Sequence, residues 1–154
     1  MNIYKKNAYG FTLIELLMVI GVVSLLTTVV VASINSARAK ALDTSIKSNL
    51  HSARAQAEMY YNNNSLSYTG VCTTPLVWSA IENARTVSGL IDGSTRLDIA
   101  EAGDEMSAVC HESSSAWAID VPLRSNSANS WCVDSKSASR SIVGYLGSNV
   151  LVCP

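Results

Sequence analysis

Hydrophobic and polar positions divide the chain into three stretches. From Phe11 to Ile34 apolar residues dominate, relieved by Thr12, Glu15, a few small hydroxyl residues and one glycine, Gly21. As a helix this stretch would be about 36 Å long, enough to cross a hydrocarbon core of about 30 Å. The pattern therefore predicts insertion in a membrane at some stage. From Asn35 to Tyr61 there is no Pro or Gly, and Ala recurs at 37, 39, 41, 53, 55 and 57. Leu42, Ile46, Leu50, Ala53, Ala57 and Tyr60 or Tyr61 follow spacings of three and four, one face of an amphipathic helix. Lys40, Asp43, Lys47 and Arg54 fall on the opposite side, which reads as solvated. The two stretches join into one helix of about 75 Å, ended by the asparagine run of "YYNNNSLSYTG".

Past Gly70 the period changes. "TPLVWSAIENA" reads as a short helix opened by Pro75, with Leu76, Ala80 and Ala84 on one face. "LIDGSTRLDIAEAGDEM" carries Asp92, Asp98, Glu101, Asp104 and Glu105 but lacks the alternating spacing of a calcium loop, so a solvated loop is expected. "SAVCHES", "AWAIDVPL" and "SWCVDS" read as strands separated by serine-rich turns. Trp117, Ile119 and Val121 share one strand face, and Pro122 points to an edge position or a strand end. The economical architecture is α+β: a three- to four-stranded antiparallel sheet packed against the rear half of the long helix, since neither layer alone buries its apolar face.

Composition sharpens this picture in two places. Formal net charge is −1 and 15% of residues are charged, too few for a basic face that would track nucleic acid. The four cysteines, Cys72, Cys110, Cys132 and Cys153, all follow the apolar stretch, and their even number reads as two disulfides in an oxidising compartment. Sequence alone leaves three pairings open.

Glu15 is the residue that the membrane reading must explain, because a carboxylate in hydrocarbon costs roughly 2.5–3.5 kcal/mol even on lenient scales. A secretory signal peptide would have a shorter apolar core and a clear cleavage site after it. A plain single-span anchor leaves Glu15 as an accident near the interface, and the flanking Lys5, Lys6, Arg38, Lys40 and Lys47 do not fix an orientation. Cleavage between Gly10 and Phe11 resolves the difficulty. Phe11 then carries a free ammonium, and Glu15 lies in the first helical turn, where the dipole favours a carboxylate by about 0.3–1 kcal/mol. The amine of the same chain or of a neighbour can neutralise it.

Lys5-Lys6 followed by "GFTLIELLMVIGVV" closely resembles the prepilin signature of type IV pilins and of the pseudopilins of type II secretion. The resemblance implies a leader of residues 1–10, a membrane or filament-core helix of 11–34, its amphipathic continuation over 35–61 and a head of 62–154. It implies that a prepilin peptidase cuts after Gly10 and methylates the Phe11 amine. Glu15 then meets the Phe11 ammonium of an adjacent subunit during assembly. The implied partners are further copies of the chain, possible minor pilins in the family's manner, the peptidase, and an assembly platform protein with its ATPase. The implied locations are the cytoplasmic membrane before assembly and a cell-surface filament after it; no cofactor or metal is implied. Many pilins carry a proline partway along the apolar half; this chain has "TTVVVASIN" there, so opening of the helix on assembly stays undecided. The placement of Cys132 and Cys153 resembles the C-terminal disulfide loop of pilins, which leaves Cys72 to Cys110.

No catalytic constellation is present: His51 and His111 lack partners at metal-ligand spacing and read as half-exposed structural residues. The chain is thus expected to be a processing enzyme's substrate rather than an enzyme. A type II secretion pseudopilin and a minor tip pilin with a binding role are the competing readings. Arg85, Arg96, Arg124, Lys136 and Arg140 are dispersed in sequence and offer no stripe for DNA unless folding gathers them.

Overall fold

The computed structural model describes residues 10–90 and 93–154. The leader positions 1–9, with Lys5 and Lys6, and Asp92 of the acidic loop lie outside the described residues. The fold is α+β, with helices α1 (Leu13–Asn63) and α2 (Pro75–Ser88), a 3-10 turn at Val71–Thr73, and five strands. These are β1 (Thr95–Arg96), β2 (Ala108–Glu112), β3 (Trp117–Pro122), β4 (Asn129–Asp134) and β5 (Ser139–Val143), in that order across one sheet. By contacts the chain forms two units, Met1–Ala37 and Arg38–Pro154.

In the first unit, every side chain from Gly10 to Ile34 whose surroundings are described is exposed, including Leu13 at 79% and Leu25 at 73%. Its small polar residues hide their protons in the helix itself. Ser24 Oγ donates to Ile20 O at 2.7 Å, Thr27 Oγ1 to Val23 O at 3.0 Å and Thr28 Oγ1 to Leu25 O at 2.8 Å. Such back-bonding gives each of these three hydroxyl donors a partner within the helix, as an apolar medium demands. The helix is unbroken through "TTVVVASIN".

In the second unit, Ile46, Leu50, Ala53 and Ala57 of α1 are fully buried against one face of the sheet. The alanines let the sheet come close, and Trp117, Ile119, Val121, Cys110 and Val133 fill the remaining space. Leu42, expected on this face, is 38% exposed, because it lies beyond the sheet's cover. The flank expected to be solvated is solvated only in part. Lys40 is exposed, but Asp43 is buried and accepts from Arg124 N at 2.7 Å, Ser125 N at 3.2 Å and the Ser125 hydroxyl. Lys47 Nζ lies 4.4 Å from the centre of the Trp131 ring, and Arg54 donates to Asp134 O at 3.1 Å and Ala138 O at 2.5 Å. Loop ends present unpaired backbone groups, and charged residues on the helix flank satisfy them.

The helix ends where Ser65 and Leu66 take left-handed backbone, at φ 53° and 58°. Asn64 Nδ2 then donates to Ser67 O at 2.9 Å and Tyr60 OH to Thr69 O at 2.6 Å. Glu112 on β2 accepts from Gly70 N at 2.5 Å and Cys72 N at 2.6 Å, beside the Cys72–Cys110 disulfide. Carboxylate and disulfide together bind the post-helix turn to the sheet. Helix α2 begins at Pro75 and stops at Gly89, whose φ of 91° favours glycine. Its buried face is Val77, Ala80, Ile81 and Ala84; Leu76, expected inward, is 61% exposed. The stripe runs 77, 80, 81 and 84, so its first turn is buried through Val77 rather than Leu76.

The sheet is larger than expected. Strands β2 to β5 are antiparallel, but β1, drawn from the stretch read as a loop, pairs parallel with β2. Strand β3 is central and buried on both faces, so Pro122 marks its end rather than an edge. The second face, with Val109, Ala118, Cys132 and Ile142, is covered by Leu146, Val150 and Cys153.

Candidate assembly site

Glu15 stands at the third position of α1 and closes a reciprocal cap with Thr12. Its Oε2 accepts the Thr12 backbone N–H at 2.9 Å and the Thr12 hydroxyl at 2.8 Å, while Glu15 N donates to Thr12 Oγ1 at 3.3 Å. This is a capping box, in which two of the orphan donors at a helix start are satisfied by side chains. The carboxylate thus has a partner within its own chain. The signal was present in "TLIE", a Thr followed three residues later by Glu before an apolar run. Sequence reasoning that asked only for a counter-charge passed over it.

The bond between Gly10 and Phe11 is open to approach. Gly10 and Phe11 are exposed, Phe11 at 83%, and a Cβ built on Gly10 meets no atom within 4 Å. The same holds at Gly21, so helix contact at this point would meet backbone rather than a side chain. With Gly10 attached, the Phe11 nitrogen is an amide. Only cleavage would turn it into a cation within one helical turn of Glu15.

The four cysteines form Cys72–Cys110 and Cys132–Cys153, each with Cα atoms 5.8 Å apart. The histidines are not half-exposed: His51 is exposed on α1, whereas His111 is fully buried on β2. The dispersed arginines are drawn into the head's own frame. Arg85 reaches Glu82 and Gly93 O, Arg96 reaches Asp104 and Ala102 O, and Arg140 donates to Cys153 O at 2.6 Å.

Residues 5–31 match the family described as the prokaryotic N-terminal methylation motif. The chain thus carries the N-terminal motif found in type IV pilins. It is similar to the type IV wide pilus major component PilA4 of Thermus thermophilus, 44% identical over 64 residues. That match takes in 42% of this chain and 48% of the relative, so the chain spans about half the length of the curated relative it matches. No solved structure matches. The pilin family is one of structural proteins rather than enzymes. Its N-terminal motif falls on the segment that carries Gly10, Phe11 and Glu15 and leaves its apolar side chains uncovered.

Proposed function

We propose that this chain is the structural subunit of a type IV pilus-like filament. A prepilin peptidase cuts between Gly10 and Phe11 and methylates the new amine. The segment 11–34 holds the subunit in the cytoplasmic membrane until an assembly platform and its ATPase draw it into a polymer of further copies, minor pilins among them. The observation that carries this reading is the pairing of a fully exposed apolar helix start with one carboxylate at its third position. Apolar burial, at roughly 25 cal/mol per Å², supplies the cohesion between packed helices once lipid is left behind. The Phe11 ammonium supplies the register, because Glu15 gains most from a cation at its own depth.

In the uncut chain the Thr12 cap meets one carboxylate oxygen; in the polymer the ammonium of an adjacent subunit meets the other. The cysteine-closed C-terminal segment supports pilin over pseudopilin within the family, by the resemblance to the pilin disulfide loop. Mass spectrometry of the chain recovered from native filaments tests the reading. Chains beginning at N-methylated Phe11 are expected. Chains that still carry residues 1–10 would overturn it.

A further inference from the structure

Helix α1 starts at Leu13, whereas the bond that processing would break joins Gly10 to Phe11. A formed helix grows at little cost, one hydrogen bond gained per residue fixed, so a stop at Leu13 needs a cause. Thr12 supplies it. In a helix continued upstream, the Glu15 N–H would donate to the Phe11 carbonyl, four residues back. Here Thr12 Oγ1 takes that donor at 3.3 Å, and Glu15 Oε2 takes the Thr12 N–H at 2.9 Å. The first carbonyl drawn into the helical ladder is thus that of Thr12, which accepts from Leu16 N at 3.3 Å.

The consequence falls on Gly10 and Phe11. Both lie outside the helix and are exposed, and a Cβ built on Gly10 meets no atom within 4 Å. One more helical turn would bond the Gly10 carbonyl to the Ile14 N–H, and the side chains that follow would lean back over it. Hydrolysis needs that carbonyl open. A water oxygen joins the Gly10 carbonyl carbon, the bond to the Phe11 nitrogen breaks, and the amine leaves with a proton from that water. A peptide bond closed in a helical turn must first be unwound.

We propose that Thr12 is a positioning residue for processing: its cap starts α1 two residues past Phe11 and holds the Gly10–Phe11 bond out of the helix. This rests on the cleavage proposed above and adds which residue presents the bond. Thr12 acts through the helix end, not by touching the peptidase. The cap thus has two successive uses. It first presents the bond, and it then holds Glu15 within one turn of the ammonium that cleavage creates.

Cleavage of the full chain in detergent micelles by a prepilin peptidase tests the inference, read by mass spectrometry over a range of substrate concentrations. Losing an N-cap shifts a helix-end equilibrium by about fivefold. Thr12→Val keeps the shape of the side chain and loses its hydroxyl. KM should therefore rise, by up to about fivefold, while kcat holds, because only the unwound fraction binds. Thr12→Ser keeps the cap and should keep the wild-type KM. Leu13→Pro supplies an independent stop, since proline suits a first helical position and holds the preceding residue out of helical backbone. In the Leu13→Pro background, Thr12→Val should then change nothing. Carbon chemical shifts of Gly10 and Phe11 should turn helical in Thr12→Val alone. Equal KM for wild type and Thr12→Val would overturn the inference. So would a Thr12→Val loss that persists in the Leu13→Pro background, because Thr12 would then act on the peptidase directly. A wild-type chain left uncut would instead overturn the cleavage reading itself.

Discussion

The residues before Arg38 and those after it solve the problem of apolar surface in opposite ways. The first unit leaves its leucines, isoleucines and valines bare, with Phe11 83% and Leu13 79% exposed, and pairs its polar groups internally through back-bonded hydroxyls and the Thr12–Glu15 cap. The second unit buries Ile46, Leu50, Trp117 and Ile119 almost completely and spends its charged side chains on its own backbone. A segment that satisfies its polar groups but leaves its apolar ones bare is suited to an apolar medium, first lipid and then neighbouring helices. A unit that buries its apolar side chains and bonds its charged ones to its own backbone has less call for a partner. On the proposed function, assembly and folding thus fall to separate stretches of one polypeptide.

The largest expected effect comes from removing the carboxylate of the first unit. Glu15→Val removes a charge that costs roughly 2.5–3.5 kcal/mol in hydrocarbon, so membrane insertion should persist or improve while filaments disappear. Fractionation together with electron microscopy of surface filaments checks both halves, and normal filaments would break the assigned role.

Core truncation on the two sides of Arg38 sharpens the contrast. Leu50→Ala should destabilise the head by about 2–5 kcal/mol, whereas Leu26→Ala should move it by less than about 0.5 kcal/mol. Denaturant melts followed by tryptophan fluorescence read this directly, and equal losses would mean that the units are not separate. Asp43→Ala strips one acceptor from two backbone N–H groups and a hydroxyl, at an expected cost of about 2 kcal/mol by the same melt.

A smaller loss is expected at the helix end. Tyr68 OH donates to Glu58 at 2.9 Å, and burial followed by that carboxylate pushes the phenol up to about 12. Tyr68→Phe should therefore cost about 1.5 kcal/mol, with the ring stack on Tyr61 retained. A near-neutral result would show that the phenol's hydration in the unfolded chain offsets the bond.

Much was legible in the sequence because the physics concerned is local. A run of apolar residues at helical rise sets a span; spacings of three and four put Ile46, Leu50, Ala53 and Ala57 on one face; the alternation in "AWAIDVPL" sets a strand. The polar start of α1 is written there too, as a cap in the four residues "TLIE", but a search for a counter-charge alone passes over it. What the chain could not declare locally depends on which element lies across from which. Asp43 and Arg54 read as solvated until the β3–β4 and β4–β5 loops arrive beside them with backbone groups to satisfy, and Lys47 until the Trp131 ring of β4 lies next to it. Strand β1 is two residues long and exists only through its pairing with β2. His111 and Asp120 look like ordinary strand residues, and only the C-terminal segment bonded to them shows them as buried polar groups. Periodicity is a property of one segment and can be counted; desolvation and hydrogen-bond satisfaction belong to pairs of distant segments, and only the folded chain brings those together.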